Sequence, residues 1–381
     1  MAEASVRPRF LIISNGHGED AIAAQIAARL AGDVMVEAYP MIGSGNAYAS
    51  VCPIVGPRAT LASEGWRNVK GSLRRDLAAG GLGTIPPALR FLRQVRGKYD
   101  KVVVVGDMVG VLACLAAGHR NLFYIDVYKT GAARLYSGPE RWAIRKACST
   151  VFCRASNLAQ LLAAGGVDAR SAGNVMMDTI PHGDYDAVSR RRRPFAVTLL
   201  PGSRALTSES FALQVEAIRG LPDDLRPNVF LAAAGSVSVD ELARASGLTR
   251  VSMLTAESGD LGQLTDGGLT IHMARGSAMG NLLEASDLVL SQAGTATVQA
   301  LGLGRPVITF INPRDRRSRF EDEQRLFGDA RVVVEADAAK VRDALQRLLT
   351  DSSERFRLAT IGRERIGGPG ALDAILAALL N

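Results

Sequence analysis

The stretch from Ser291 to Pro306, SQAGTATVQALGLGRP, runs a buried apolar segment into a turn of small residues and then into a helix. Gly294, Thr295, Ala296 and Thr297 leave room for a ligand to reach the backbone, and the free N–H groups of a first helical turn favour a phosphate there. One turn later, Gln299 shares that side of the helix and can hydrogen-bond a ribose hydroxyl. The plainer alternative is a tight β-to-α turn with Thr295 or Thr297 as its N-cap. A second anion site follows the apolar run Phe195 to Leu200. There Gly202 permits close backbone approach, Ser203 offers a hydroxyl, and Arg204 offers a fork of donors suited to phosphate. A helix cap beside a surface charge would use the same residues. Both loops belong to one half of the chain, so they can converge at the carboxyl edge of one sheet.

In the first half, Asp107 ends the apolar run Lys101 to Val105, where the active-site residues of α/β sheets collect. A carboxylate there can take the proton from an attacking hydroxyl, or it can cap a helix that begins near Val109. His17 stands between two glycines in the first β-to-α loop, where it can bind acceptor or phosphate or serve as an ordinary loop histidine. His119, His182 and His272 make no metal-ligand spacing, and no metal site is expected.

These loops need strands and helices to hold them. Phe10–Ser14 reads as a buried strand, Asn15–Glu19 as a glycine turn and Asp20–Leu30 as a helix. Val34–Ala38, Lys101–Val105, Asn121–Ile125 and Thr150–Cys153 are further short apolar runs separated by helical stretches, the alternation of a doubly wound parallel sheet. The grammar restarts after Arg190–Pro194, with strands expected over Phe195–Leu200, Val229–Ala234, Leu269–His272, Leu288–Ser291, Val307–Phe310 and Val332–Val334. Helices are expected over Phe211–Ile218, Ala278–Ala285 and Ala338–Leu349.

A chain of 381 residues exceeds the size at which single cores stop growing, so two domains are expected. With 47% hydrophobic and 22% charged residues it is globular rather than disordered. Its net charge of +7 implies an anionic partner. No zinc-finger, RNP or helix-turn-helix signature accompanies that charge, and aromatics are not interleaved with the basic clusters, so nucleic acid is not expected. Cys52, Cys114, Cys148 and Cys153 lack C-x-x-C spacing and read as reduced core thiols. The N-terminus has neither a signal-peptide pattern nor a membrane span.

Taken together, Leu200–Arg204 and Gly294–Gln299 resemble the donor-binding half of lipid-A-disaccharide synthase and its relatives, which are GT-B glycosyltransferases. Val104-Val105-Gly106-Asp107 resembles the acidic strand end of that family's N-domain, and Gly173–Asp178 resembles its glycine-(His/Asn)-proline-x-x-aspartate segment. The order and spacing of these four elements fit nearly the whole chain. There are departures: Asn15-Gly16-His17-Gly18-Glu19-Asp20 replaces the family's Gly-Glu-Ala-Ser-Gly-Asp loop, Gln299 replaces a ribose-binding glutamate, and Val175 stands in place of proline. The segment after Asp107 also lacks the family's second aspartate. A relative with a different acceptor is therefore expected, rather than the lipid A enzyme itself.

The resemblance implies an α/β protein of GT-B type, with two doubly wound, Rossmann-like domains facing a cleft. Residues 1–177 would bind acceptor, 178–194 form a basic linker, 195–362 bind the nucleotide-sugar donor, and a helix in 363–381 return to the first domain. Metal-independent, inverting transfer from a UDP-sugar follows, with Asp107 and His17 as the catalytic residues, Asp107 first as base, with Asn15, Gly16, Gly18 and Glu19 on the acceptor, and no cofactor. A UDP-sugar 2-epimerase and a catalytically silent nucleotide-sugar binder are the alternatives. A lipid-linked acceptor and a cytoplasmic location peripheral to the inner membrane face are also expected. Their motive is the stretch Arg67–Arg96, whose arginines flank Leu77–Gly83 and a short helix carrying Leu89, Phe91 and Leu92. Packing of those three side chains on the domain's own sheet is the competing reading.

Overall fold

The computed structural model describes residues 7–59, 81–202, 206–252, 255–312 and 317–381. The chain divides into two compact units, Met1–Thr179 with Pro369–Asn381, and Ile180–Gly368.

The first unit contains β1 (Arg9–Ser14), α1 (His17–Leu30), β2 (Met35–Pro40), α2 (Ile85–Val95), β3 (Lys101–Gly106) and α3 (Met108–Ala116). It continues through β4 (Leu122–Asp126), α4 (Gly138–Ala147), β5 (Cys148–Phe152), α5 (Ser156–Ala163), β6 (Asp168–Arg170) and the one-turn α6 (Val175–Asp178). Its six strands run in the order β2-β1-β3-β4-β5-β6, every pair parallel. Such a sheet is covered by helices on both faces, so its strands are near-continuous apolar runs, and Phe10 to Ile13 are all buried.

The second unit contains β7 (Ala196–Leu200), α7 (Thr207–Arg219), β8 (Asn228–Ala233), α8 (Val239–Ser246), β9 (Thr249–Val251), β10 (Asp260–Thr265) and β11 (Thr270–Arg275). After these come α9 (Met279–Glu284), β12 (Leu288–Ser291), α10 (Thr295–Gly302), β13 (Val307–Ile311), α11 (Arg317–Phe327), β14 (Arg331–Glu335), α12 (Ala338–Thr350) and α13 (Ser352–Ile366). The eight strands run β14-β13-β12-β7-β8-β11-β10-β9. All pairs are parallel except those made by β10, which is antiparallel to both β11 and β9.

The structure differs from the sequence expectation in four places. Helix α1 begins at His17, so His17, Gly18 and Glu19 belong to its first turn rather than to a preceding loop. Residues 180–194 are not a free linker but part of the second unit. Tyr185 and Ala187 are buried there, Arg190 pairs with Glu257 (2.5 Å), and Arg191 pairs with Asp287 (2.9 Å). The end of the chain is split: α13 stays in the second unit, while a final helix, α14 (Ala371–Leu380), lies in the first. There Asp178 accepts the amides of Gly370 (2.6 Å) and Leu372 (3.1 Å).

The fourth difference is α2, expected to meet a bilayer. Leu92 is in the core, Leu89 and Phe91 pack against it, and Phe91 meets the Tyr39 ring at 4.7 Å. The apolar stripe is thus used by the domain itself, with Arg90 and Arg93 facing water. Arg67, Lys70, Arg74, Arg75 and Leu77–Gly80 lie outside the described residues. No helix among the described residues is long and apolar enough to cross a membrane.

Helix α10 is seated against α13 through a missing side chain. A Cβ on the buried Gly362 would stand 2.7 Å from the carbonyl oxygen of Leu301, a backbone atom that cannot move aside. Gly362→Val should therefore cost about 1–3 kcal/mol by overpacking. That corresponds to a fall in Tm of roughly 2–4 °C per kcal/mol for a domain of this size. A thermal melt of the full chain checks it, and an unchanged Tm would mean that α13 is not held tightly against α10.

Candidate functional site

Strand order decides where each unit can hold a ligand. In the second unit, β7 lies between β8 and β12: the chain proceeds outward through β8 to one edge, then returns to β12 and proceeds outward the other way. The β7-to-α7 and β12-to-α10 loops therefore leave adjacent strands in opposite directions and open a crevice between them. Ser291 is in register with Leu200, and the Gln292 amide bonds the Leu200 carbonyl (2.8 Å). Gly202 sits against this second loop with a φ of +98°, a left-handed conformation that favours glycine, and a Cβ there would meet the Gln292 carbonyl at 3.5 Å. The structure thus brings Gly202 beside Gln292 at the head of the Gly294–Thr297 turn. Ser203 and Arg204 lie outside the described residues.

The turn itself is tied from beneath by a ring of three hydrogen bonds. The Ala293 amide donates to Ser291 Oγ (3.1 Å), Ser291 and Thr297 join their hydroxyls (2.6 Å), and Thr297 Oγ1 donates to the Ala293 carbonyl (2.6 Å). Gln292 is pinned by its Nε2 to Thr309 Oγ1 (3.2 Å) and the Phe310 carbonyl (3.0 Å). The hydroxyl of Thr297, expected at the donor, is therefore buried and used to shape the turn. Gly294 supplies no side-chain cap, so the Thr295 and Ala296 amides at the start of α10 precede any intrahelical acceptor. Thr295 is exposed and Ala296 half-buried. Gln299 follows one turn later on the buried side.

The first unit repeats the arrangement at β1 and β3. From β1 the chain goes out to β2 at one edge, and from β3 it proceeds through β4, β5 and β6 to the other. Asn15 follows β1 and Asp107 follows β3, so both stand at the reversal of strand order. Asn15 Nδ2 donates to Asp107 Oδ1 (3.0 Å), which also accepts the Val109 amide (2.8 Å) as the N-cap of α3. Asp107 Oδ2 has no partner among the described residues, and Asn15 Oδ1 is sealed without one. Glu19 leans over the strand end: a Cβ on Gly106 would stand 3.1 Å from Glu19 Cγ, and one on Gly16 would stand 2.7 Å from Glu19 Oε2. Behind this layer Ser14 Oγ bonds Asp20 Oδ1 (2.6 Å) and Tyr48 (2.7 Å), all buried. Asn15, Gly16, Glu19 and Asp107 are thus gathered in one place, with His17 and the exposed Gly18 opening α1 beside them.

Two groups along the same edge escaped the sequence reading. Asp126 ends β4 in register with Gly106, one strand over from Asp107. It is buried; its Oδ1 accepts the Tyr128 (2.9 Å) and Lys129 (3.0 Å) amides, and its Oδ2 accepts the Tyr136 hydroxyl. Arg154 follows β5, with Nη2 sealed from solvent and without a hydrogen-bond partner. The signal was present for Asp126, which ends its apolar run as Asp107 does. Burial pushes the Asp126 carboxyl up to about 6, against the opposing pull of Tyr136 and the two amides. Burial likewise pushes the Cys153 thiol beside Tyr136 up to about 12, consistent with an inert core thiol.

The fold is similar to that of several solved structures. The glycosyltransferase SnogD from Streptomyces nogalater matches 98% of this chain over 100% of its own, at 18% identity and a TM-score of 0.54. MnaA of S. aureus, solved with UDP, matches 98% over 96% at 15% identity and a TM-score of 0.58. UDP-GlcNAc 2-epimerase from Methanocaldococcus jannaschii matches 97% over 99% at 16% identity and a TM-score of 0.55. No family model and no curated protein sequence matches the chain.

The raised carboxyl of Asp126 has a measurable sign. Because its folded-state value of about 6 lies above the ordinary carboxylate range, folding takes up a proton between those values. The group's contribution is thus most favourable below about pH 4 and is lost as pH rises through about 6. Asp126→Asn, which keeps the shape without the ionisation, should gain on the parent by on the order of 3 kcal/mol between pH 4 and 7. Urea unfolding of both proteins across that range reads the difference; a gap independent of pH would show that Asp126 ionises freely.

Proposed function

We propose that this chain, a GT-B protein of two Rossmann-like domains, transfers a sugar from a UDP-sugar to an acceptor hydroxyl. The observation that carries the reading is the coincidence of chemistry and topology. In the second unit Gly202 lies beside Gln292, which heads the turn leading to the Thr295 and Ala296 amides, at one reversal of strand order, and in the first unit Asn15 bonds Asp107 at the other.

The donor diphosphate would lie against Gly202, Ser203 and Arg204 and the start of α10. The amides of Thr295 and Ala296 and the Arg204 guanidinium would stabilise charge that grows on the departing UDP. Gln299 would serve the ribose. In the first unit, Asp107 Oδ1 is held by Asn15 and the Val109 amide, which leaves Oδ2 to take the acceptor proton. The acceptor oxygen then bonds the anomeric carbon as the bond from that carbon to the UDP oxygen breaks, in a single displacement that inverts the centre. Asn15 would keep Asp107 in position through Nδ2, and Gly16, His17, Gly18 and Glu19 would complete that wall. The resemblance to lipid-A-disaccharide synthase supports a lipid-linked acceptor at the cytoplasmic membrane face.

Asp107→Asn should leave UDP affinity unchanged and reduce turnover by roughly 10² to 10⁴, the range for loss of a general base. Asparagine caps a helix as well as aspartate does, so the fold should survive. Normal turnover would reduce Asp107 to a cap and move the base to His17. Arg204→Ala should weaken UDP binding by roughly 1.5–3 kcal/mol, the cost of a hydrogen bond to a charged group. Calorimetry decides this, and unchanged affinity would remove the 201–204 loop from the donor site. Incubation with UDP-sugars and a total lipid extract, followed by mass spectrometry, identifies the product. Isomerised nucleotide sugar without acceptor would instead indicate epimerisation.

A further inference from the structure

The peptide group that carries Asp107 is fastened more firmly than the end of a strand requires. Its carbonyl, that of Gly106, accepts the Val127 amide (3.3 Å), which continues the pairing of β3 with β4, and it also accepts the Tyr124 hydroxyl (3.2 Å). Both lone pairs of that oxygen are thereby used. Tyr124 is in register with Val104, so its phenol runs along the sheet to reach the last carbonyl of β3. The ring lies in the first unit's core, in one cluster with Val104 and Met108, and none of it meets solvent. Burial holds the phenol well above its usual range, so the hydroxyl stays protonated and donates.

That second bond matters because of the residue it holds. Gly106 has a φ of +137°, a conformation that favours glycine, and the chain turns there from β3 into the N-cap of α3. A glycine at such a turn has neighbouring conformations open to it, and each would aim the next side chain differently. The next side chain is Asp107. Fixing the Gly106 carbonyl fixes ψ of Gly106, and with it the place from which the Asp107 side chain departs. The other partners of Asp107, Asn15 Nδ2 (3.0 Å) and the Val109 amide (2.8 Å), belong to the loop after β1 and to the start of α3. Tyr124 instead stands on β4, an interior strand with β3 on one side and β5 on the other. Its hydroxyl therefore ties the turn to the stiffest part of the domain.

Resting on the glycosyl-transfer reading, we propose that Tyr124 is a positioning residue for the base: its hydroxyl locks the Gly106–Asp107 peptide plane and so aims Asp107 Oδ2 at the acceptor hydroxyl. Tyr124 touches no substrate and takes no proton. It acts by holding the carboxylate in the one direction from which proton removal and attack can coincide.

Tyr124→Phe removes the hydroxyl and keeps the ring, and residue-resolved amide exchange of the full chain reads the effect without any substrate. The Val109 amide, which Asp107 Oδ1 holds, should lose about tenfold of its protection, the scale of one hydrogen bond, while the amides of Ile125 in β4 and Cys114 in α3 keep theirs. Turnover of UDP-GlcNAc with a total lipid extract should fall by about tenfold to a hundredfold, as for a misplaced reacting group, with UDP affinity and the donor KM unchanged. Gly106→Ala disturbs the same peptide through its φ and should give the same selective loss, which keeps the test valid if Tyr124→Phe does not fold. Equal Val109 protection in parent and variants overturns the proposal. So does a loss shared by Ile125 and Cys114, which would make Tyr124 a packing residue, and so does a selective loss with full turnover. A parent that binds UDP but transfers no sugar would instead sink the glycosyl-transfer reading, and the exchange result would still decide whether Tyr124 fixes Asp107.

Discussion

A right-handed crossover can carry a parallel strand to only one side of its predecessor, so a sheet that grows both ways from its middle must reverse once. At that reversal no connecting helix covers the strand ends. Each unit of this protein has one such place, between β1 and β3 and between β12 and β7. What occupies the two places is matched to the opening: Asp107, held by Asn15, in one, and glycine beside an uncapped helix start in the other. Packing elsewhere serves to hold these loops still, through the Ser291–Thr297–Ala293 ring and through Gly362 beneath α10.

Much of this was legible because buried parallel strands are short apolar runs. Leu288–Ser291 is expected and observed with the same ends, and the ends of the other expected strands lie within three residues of those observed. What escaped was of another kind. The strands β9 and β10 lie at an antiparallel edge, where Gly262 and alternating polar residues dilute the apolar pattern. The start of α1 was placed late because glycines flank His17, yet the acidic Glu19 and Asp20 suit a first helical turn. In the site, Asp107 and Gly294 announced themselves by position. Asp126 ends its own apolar run in the same way, one strand over, and is buried there.

Charge shows the same division between what composition says and what geometry does. A net charge of +7 suggested a basic surface waiting for an anion. In the described structure the most basic run, Arg190–Arg193, is already spent: on Glu257, on Asp287, and on the carbonyls of Asp223 and Arg226. Pairing of this kind consumes both signs equally and leaves the net excess of +7, so salt should still screen the attraction of an anion to this protein.

The hairpin at the end of the larger sheet bears on how the protein behaves in crowded solution. An open sheet edge presents unpaired backbone donors and acceptors that a second copy can continue. Here the sheet turns antiparallel through β10 and ends in β9, only three residues long, with Arg250 reaching Asp240 (3.3 Å) at its centre. A strand so short, carrying a charge at its middle, gives an approaching chain almost no ladder to extend. That edge of the second unit is therefore guarded against self-templated assembly without a helix to cover it.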